Sequence, residues 1–131
     1  MTIEVIEIDD EQAAQLLGNA EGHFLDFKAI EVKPAKLSET VCAFANAEGG
    51  DLYVGVDEGA NGFDWRGFAS PEDANGHVHA LKRLFPLGDE FSYEFLASEV
   101  RDGLLLHVAI QKSSRVPQCQ DRCRTLDTLF L

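Results

Sequence analysis

The chain has 131 residues, 45% hydrophobic and 26% charged, which predicts one soluble globular domain with a real core and leaves no room for two ordinary domains. No apolar run approaches the roughly twenty residues needed to cross a bilayer, and the opening MTIEVIEIDD lacks the basic-then-apolar pattern of a signal peptide. A membrane partner is therefore excluded and a cytoplasmic location expected, while a net charge of −12 weighs against wrapping a polyphosphate.

In chain order, residues 3–8 alternate as IEVIEI, enough for a short edge strand. Asp9 is placed as an N-cap with Gln12 at N3, and Ile8 and Ala13 are spaced for a hydrophobic staple, so a short helix runs through Leu16 and Leu17 to Gly18 and Asn19. Residues 21–28 read as a strand with Leu25 and Phe27 toward the core and Phe24, Asp26 and Lys28 on the other side. After a connection holding Pro34, Leu37, Val41, Phe44 and Ala45 recur at helical spacing until Gly49-Gly50 ends the helix. A strand from Asp51 to Asp57 follows, with Leu52, Val54 and Val56 on one face and Tyr53, Gly55 and Asp57 on the other; Gly55 leaves room there for a ligand or another backbone.

Residues 58–68 hold three glycines and the large aromatics Phe63, Trp65 and Phe68, and are expected to form a loop folded back on the body. Ser70-Pro71-Glu72-Asp73 is a helix start, and Ala74, Val78, Leu81 and Phe85 give that helix its apolar stripe before Pro86, with Gly76 loosening the first turns. Residues 91–100 and 104–111 form the clearest hairpin. Phe91, Tyr93, Phe95 and Ala97 share a face with Leu104, Leu106, Val108 and Ile110, and Arg101-Asp102-Gly103 makes the turn. The fold expected is α+β, a mixed and largely antiparallel sheet with helices packed on it, over residues 1–115; residues 116–131 read as an atypical tail of the kind a truncation would leave. A Rossmann domain is excluded, because the double glycine follows a helix and opens a strand.

The charge is unevenly spread. Residues 1–100 hold twenty acids against six bases, a balance of −14, whereas residues 101–131 hold three acids against five bases, a balance of +2. Any basic patch is therefore local. Three cysteines are an odd number and Cys42 lies within a predicted helix, so no disulfide framework is expected and Cys42 reads as a small buried hydrophobe. Cys119 and Cys123 with His107 make a weak zinc pattern, and His77 and His79, two apart on a helix, point to different sides. Asp26 and Lys28, two apart on one strand face, are side-chain neighbours.

Glu21, then Leu25-Asp26-Phe27-Lys28, then Ala43-Phe44-Ala45-Asn46-Ala47-Glu48-Gly49-Gly50, then Gly55-Val56-Asp57 resemble the pattern of the Schlafen-type AlbA-like domain, found in bacterial proteins labelled putative transcriptional regulators. The resemblance covers about residues 10–115. Asp26 stands where the family usually has Glu, and the family's closing Tyr-x-Arg-x-Gly strand is not read after Val116-Pro117.

What the resemblance implies is a nucleic-acid-binding regulatory module, for DNA or RNA, with no cofactor required for binding. Lys28, Lys33, Lys36, Arg66, Lys112 and Arg115 would touch phosphates, and Asn46, Glu48, Gly49 and Gly50 would shape the groove. An alternative carried by the same resemblance is an endoribonuclease dependent on Mg²⁺ or Mn²⁺, with Glu21, Asp26 and Asp57 as three-carboxylate metal ligands and Lys28 steadying the transition-state charge. Glu21 lies five residues before Asp26 and converges with it only if Glu21 and Gly22 belong to a turn. A further alternative is a non-catalytic protein-interaction module, in which Asp26–Lys28 is a surface pair and Asp57 starts a turn. An exposed hairpin edge left by the odd tail would favour a homodimer.

Overall fold

The computed structural model describes residues 4–18, 24–60, 62–84 and 91–112. In chain order these form β1 (Val5–Ile8), α1 (Asp10–Gly18), β2 (Leu25–Lys28), α2 (Pro34–Asn46), β3 (Gly50–Val54), β4 (Val56–Gly59), β5 (Gly62–Trp65), a 3-10 turn (Pro71–Ala74), α3 (Asn75–Leu84), β6 (Phe91–Ser98) and β7 (Leu104–Ile110). A five-stranded sheet runs β1-β6-β7-β3-β2, and β4 and β5 form a separate two-stranded sheet. The pairs β1–β6 and β2–β3 are parallel, and β6–β7 and β3–β7 antiparallel. This is the α+β arrangement, mixed and largely antiparallel, that the pattern of elements predicts.

Local chemistry explains several elements. Asp9 and Gln12 form a reciprocal capping box, Gln12 N–H donating to Asp9 Oδ1 at 2.8 Å and Asp9 N–H to Gln12 Oε1 at 3.0 Å. Pro71 sits in the first turn after Ser70, but the opening there is a 3-10 turn and α3 proper begins only at Asn75, the loosening expected near Gly76. The hairpin pairs as expected, and Phe91, Phe95, Leu106, Val108 and Ile110 bury against α2 and α3, together with Leu37, Val41, Phe44, Leu52, Val54, Val78 and Leu81; Tyr93 and Leu104 pack beside them partly buried, and Ala97 lies outside that cluster. The opposite face of the sheet carries a smaller cluster of Phe27, Leu96 and Leu105, covered by Leu16 and Leu17 of α1 and by Val56, Phe63 and Trp65 of the small sheet. The main sheet is thus buried on both faces, most deeply on the side of α2 and α3.

Three expectations are corrected. The strand predicted over Asp51–Asp57 breaks at Gly55, whose φ of +119° is closed to other residues; its carbonyl accepts from the N–H groups of Arg66 and Gly67, and the chain leaves the sheet there. Val56 consequently packs in the smaller cluster, apart from Leu52 and Val54. The loop expected over residues 58–68 contains β5, which pairs antiparallel with β4 and sets Asp57 opposite Asp64. Finally, β6 and β7 both lie inside the sheet, so the hairpin offers no free edge; the outer strands among those described are β1 and β2.

Cys42 is fully buried on α2, the setting expected of a small hydrophobe, while Cys119 and Cys123 lie outside the described residues. Phe85, Pro86 and the tail from residue 116 lie outside them as well. No helix among the described residues is long and apolar enough to cross a membrane.

Candidate nucleic-acid interface

Gly55 is the pivot of a polar corner. Its N–H donates to the Lys28 carbonyl at 2.7 Å, and its carbonyl receives Arg66 N–H at 2.9 Å, so the end of β2 and the residue after β5 meet at one glycine. A Cβ at Gly55 would fall 2.9 Å from Leu105 Cδ2 and 3.1 Å from Gly67 Cα. The gap foreseen at this position is therefore filled by another backbone rather than a ligand.

Side chains follow from that backbone. Asp26 and Lys28 project from the same side of β2, and their charged ends lie 2.8 Å apart with both side chains largely covered. Arg66 is salt-bridged to Glu31, in the connection from β2 to α2, and approaches Asp57 of β4 at 3.7 Å. The same connection leads into α2, with Lys33 as N-cap, Pro34 in the first turn and Lys36 beside Glu39 at 3.5 Å. It is pinned from α3, where His77 Nε2–H donates to the Val32 carbonyl at 3.1 Å and the ring packs edge-on against Phe68. Lys28, Lys33, Lys36 and Arg66 therefore share one corner of the molecule.

The N-terminus of α2 departs from ordinary helix chemistry. Its first turn has no acidic residue, no side chain caps it, and its N-cap is a lysine with extended backbone (φ −73°, ψ 146°). Helix N-termini carry free N–H groups and a partial positive charge that acids usually offset, each favourable charge being worth about 0.3–1 kcal/mol. Lys33 and Lys36 add positive charge to that end, where an anion is what the geometry accepts.

The other predicted residues lie elsewhere. Asn46 and Glu48 are exposed at the far end of α2, a 13-residue helix about 20 Å long, and Lys112 is there too, 3.6 Å from Glu48. Gly49 (φ +84°) is buried in the same place, where a Cβ would come within 2.5 Å of the Ile110 carbonyl; a Cβ on Gly50 would strike the Phe44 ring at 2.7 Å. Gly49 serves the close passage of the α2–β3 turn past the end of β7, and Gly50 that of β3 past Phe44 and the Phe24 carbonyl. Glu21 and Arg115 lie outside the described residues.

The neighbours of Asp26 and Asp57 bear on metal binding. Each already faces a cation, Lys28 and Arg66 respectively, and among the described residues no group of three His, Cys, Asp or Glu side chains is placed to hold a metal. The described part of the three-carboxylate set does not by itself make a metal centre.

One cluster escaped the sequence reading. On the sheet face away from α2, His107 bridges Asp51 and Glu94, with Nε2 2.9 Å from Asp51 Oδ1 and Nδ1 2.9 Å from Glu94 Oε2. Its ring stacks on Tyr53 at 4.5 Å between centroids. Burial first, then the charges of Asp51 and Glu94, pushes the Tyr53 hydroxyl up to about 12. Both imidazole nitrogens lie within hydrogen-bonding distance of a carboxylate, so the ring is held between Asp51 of β3 and Glu94 of β6. The only sequence signal was cross-strand: His107 and Glu94 fall on the polar side of their alternating strands.

The family model described as Schlafen, AlbA_2 matches residues 21–126, most of the chain. The association of that family is with nucleic acids. No curated protein matches the chain.

Proposed function

The chain belongs to the Schlafen, AlbA_2 family, and from that membership and the corner around Gly55 we propose that it is a nucleic-acid-binding regulatory domain, which receives a phosphate backbone at the N-terminus of α2. The observation that carries this reading is the uncapped, acid-free first turn of α2 with Lys33 and Lys36 on it. A phosphate there accepts from the free N–H groups and relieves the repulsion between the two lysines and the helix dipole. Lys28 and Arg66 extend the contact across the corner, and a chain of net charge −12 binds a polyanion only through such a concentrated patch. Contacts of this type set the position and direction of a strand and specify little sequence.

The test is binding of labelled single-stranded RNA and duplex DNA over a range of salt, with Mg²⁺ or Mn²⁺ and with chelator. Up to four cations in contact correspond to a slope of log K on log salt of about −3 for single strands and somewhat steeper for duplex. The expected result is a complex with that salt dependence and no need for metal. Absence of a complex at low salt overturns the reading. Metal-dependent cleavage lost in Asp26→Ala and Asp57→Ala would replace it with the endoribonuclease.

A further inference from the structure

Apart from Lys33, which forms no ion pair among the described residues, the cations of this corner are already held by carboxylates: Lys28 by Asp26, Lys36 by Glu39, and Arg66 by Glu31 with Asp57 at longer range. An Arg guanidinium binds carboxylate and phosphate oxygens with the same fork of donors, so a carboxylate seated on it occupies the place a phosphate would take. The holders differ in firmness. Asp26 is largely covered and sits on the same strand as its lysine, whereas the Glu31 side chain is 59% exposed and reaches Arg66 from a connecting segment. Glu31 can swing into solvent without uncovering any core.

We propose that Glu31 is an intramolecular phosphate mimic, which occupies Arg66 in the free protein and is displaced by an extended phosphodiester backbone but not by a single phosphate. The inference rests on the reading of the α2 corner as the nucleic-acid interface. A lone phosphate must compete with a carboxylate that the fold holds beside Arg66, whose effective concentration is in the millimolar range. A strand instead lands first on Lys33 and the α2 N-terminus, and its next phosphate then competes for Arg66 as an intramolecular group itself. The tethered acid therefore sets a threshold that favours several adjacent phosphates over mononucleotides and inorganic phosphate.

Glu31→Gln tests this, since it removes the charge, keeps the shape and lies at the surface. Binding of a labelled single-stranded oligonucleotide is compared between wild type and variant across salt, with inorganic phosphate as competitor. The variant is expected to bind about two- to fivefold more tightly, the range of an exposed ion pair. Its salt slope should be at least as steep as that of wild type, because no carboxylate is left to take up a cation on displacement. Phosphate should compete at lower concentration against the variant than against wild type. Unchanged or weaker binding by Glu31→Gln, or equal competition by phosphate in both proteins, overturns the mimic and leaves the interface standing. Failure of both proteins to bind overturns the two together.

Discussion

Lys33→Asp should make the protein more stable and worse at binding, and the opposition of the two effects is the point. Lys33 occupies the N-cap of α2 with the extended backbone that a capping residue needs, yet no side chain accepts from the first turn. Aspartate at that position can accept from the Lys36 N–H, and a good cap is worth about 1 kcal/mol. Reversing the charge beside the helix N-terminus adds roughly 0.5–1 kcal/mol more. For a chain of this length each kcal/mol moves the melting temperature by about 4 °C, so a rise of about 6–8 °C is expected by circular dichroism. Binding moves the other way. A unit charge about 4 Å from a phosphate is worth about 1 kcal/mol in water, so replacing attraction by repulsion weakens binding roughly tenfold to thirtyfold at low salt, read by fluorescence anisotropy. If the melting temperature does not rise, α2 is not short of a cap. If it rises and affinity is untouched, the anion site at α2 is refuted.

Two further outcomes follow from the backbone and from Tyr53. Gly55→Ala forces a side chain into φ +119° against Leu105 and Gly67, so urea unfolding should show a loss of about 2–4 kcal/mol, whereas a loss below about 0.5 kcal/mol would remove Gly55 as the pivot between Lys28 and Arg66. Tyr53 ionises near 10 in the unfolded chain and is pushed up to about 12 in the folded one, so the unfolded state sheds its proton first. Its contribution is complete below pH 10 and is lost as pH rises from 10 to 12. Tyr53→Phe should show a shallower fall in stability over that window than wild type; identical profiles would contradict the packed, acid-flanked setting of the hydroxyl.

How far the chain could be read in advance depended on the range of the interactions involved. The capping box at Asp9 and Gln12 and the alternating hairpin of β6 and β7 are written in neighbouring residues, and both stand as read. The break at Gly55 was not legible, because a glycine among alternating Leu, Val and Val looks like a gap in a strand; only the two N–H groups of Arg66 and Gly67, arriving from β5, turn it into a corner. For the same reason β5 passed as a loop, its glycine and aromatic residues gaining a strand partner only from β4.

The site divides in the same way. Asp26–Lys28 followed from strand geometry, but Glu31–Arg66 joins residues 35 apart and required the fold. Cationic residues grouped together by sequence alone proved to lie at opposite ends of α2, Lys33 and Lys36 at one and Lys112 at the other. The Asp51–His107–Glu94 bridge spans three strands, and nothing local announced it.

The central claim concerns a place, so the most direct measurement is one that reports position: a ¹⁵N–¹H titration of the protein with a short single-stranded oligonucleotide at low salt. The account predicts that the largest shifts fall on the amides of Ala35, Lys36 and Leu37 in the first turn of α2 and on the Arg66 side chain, with Glu48 and Lys112 little moved. Shifts concentrated at the Glu48–Lys112 end, or on the face carrying His107, would contradict it.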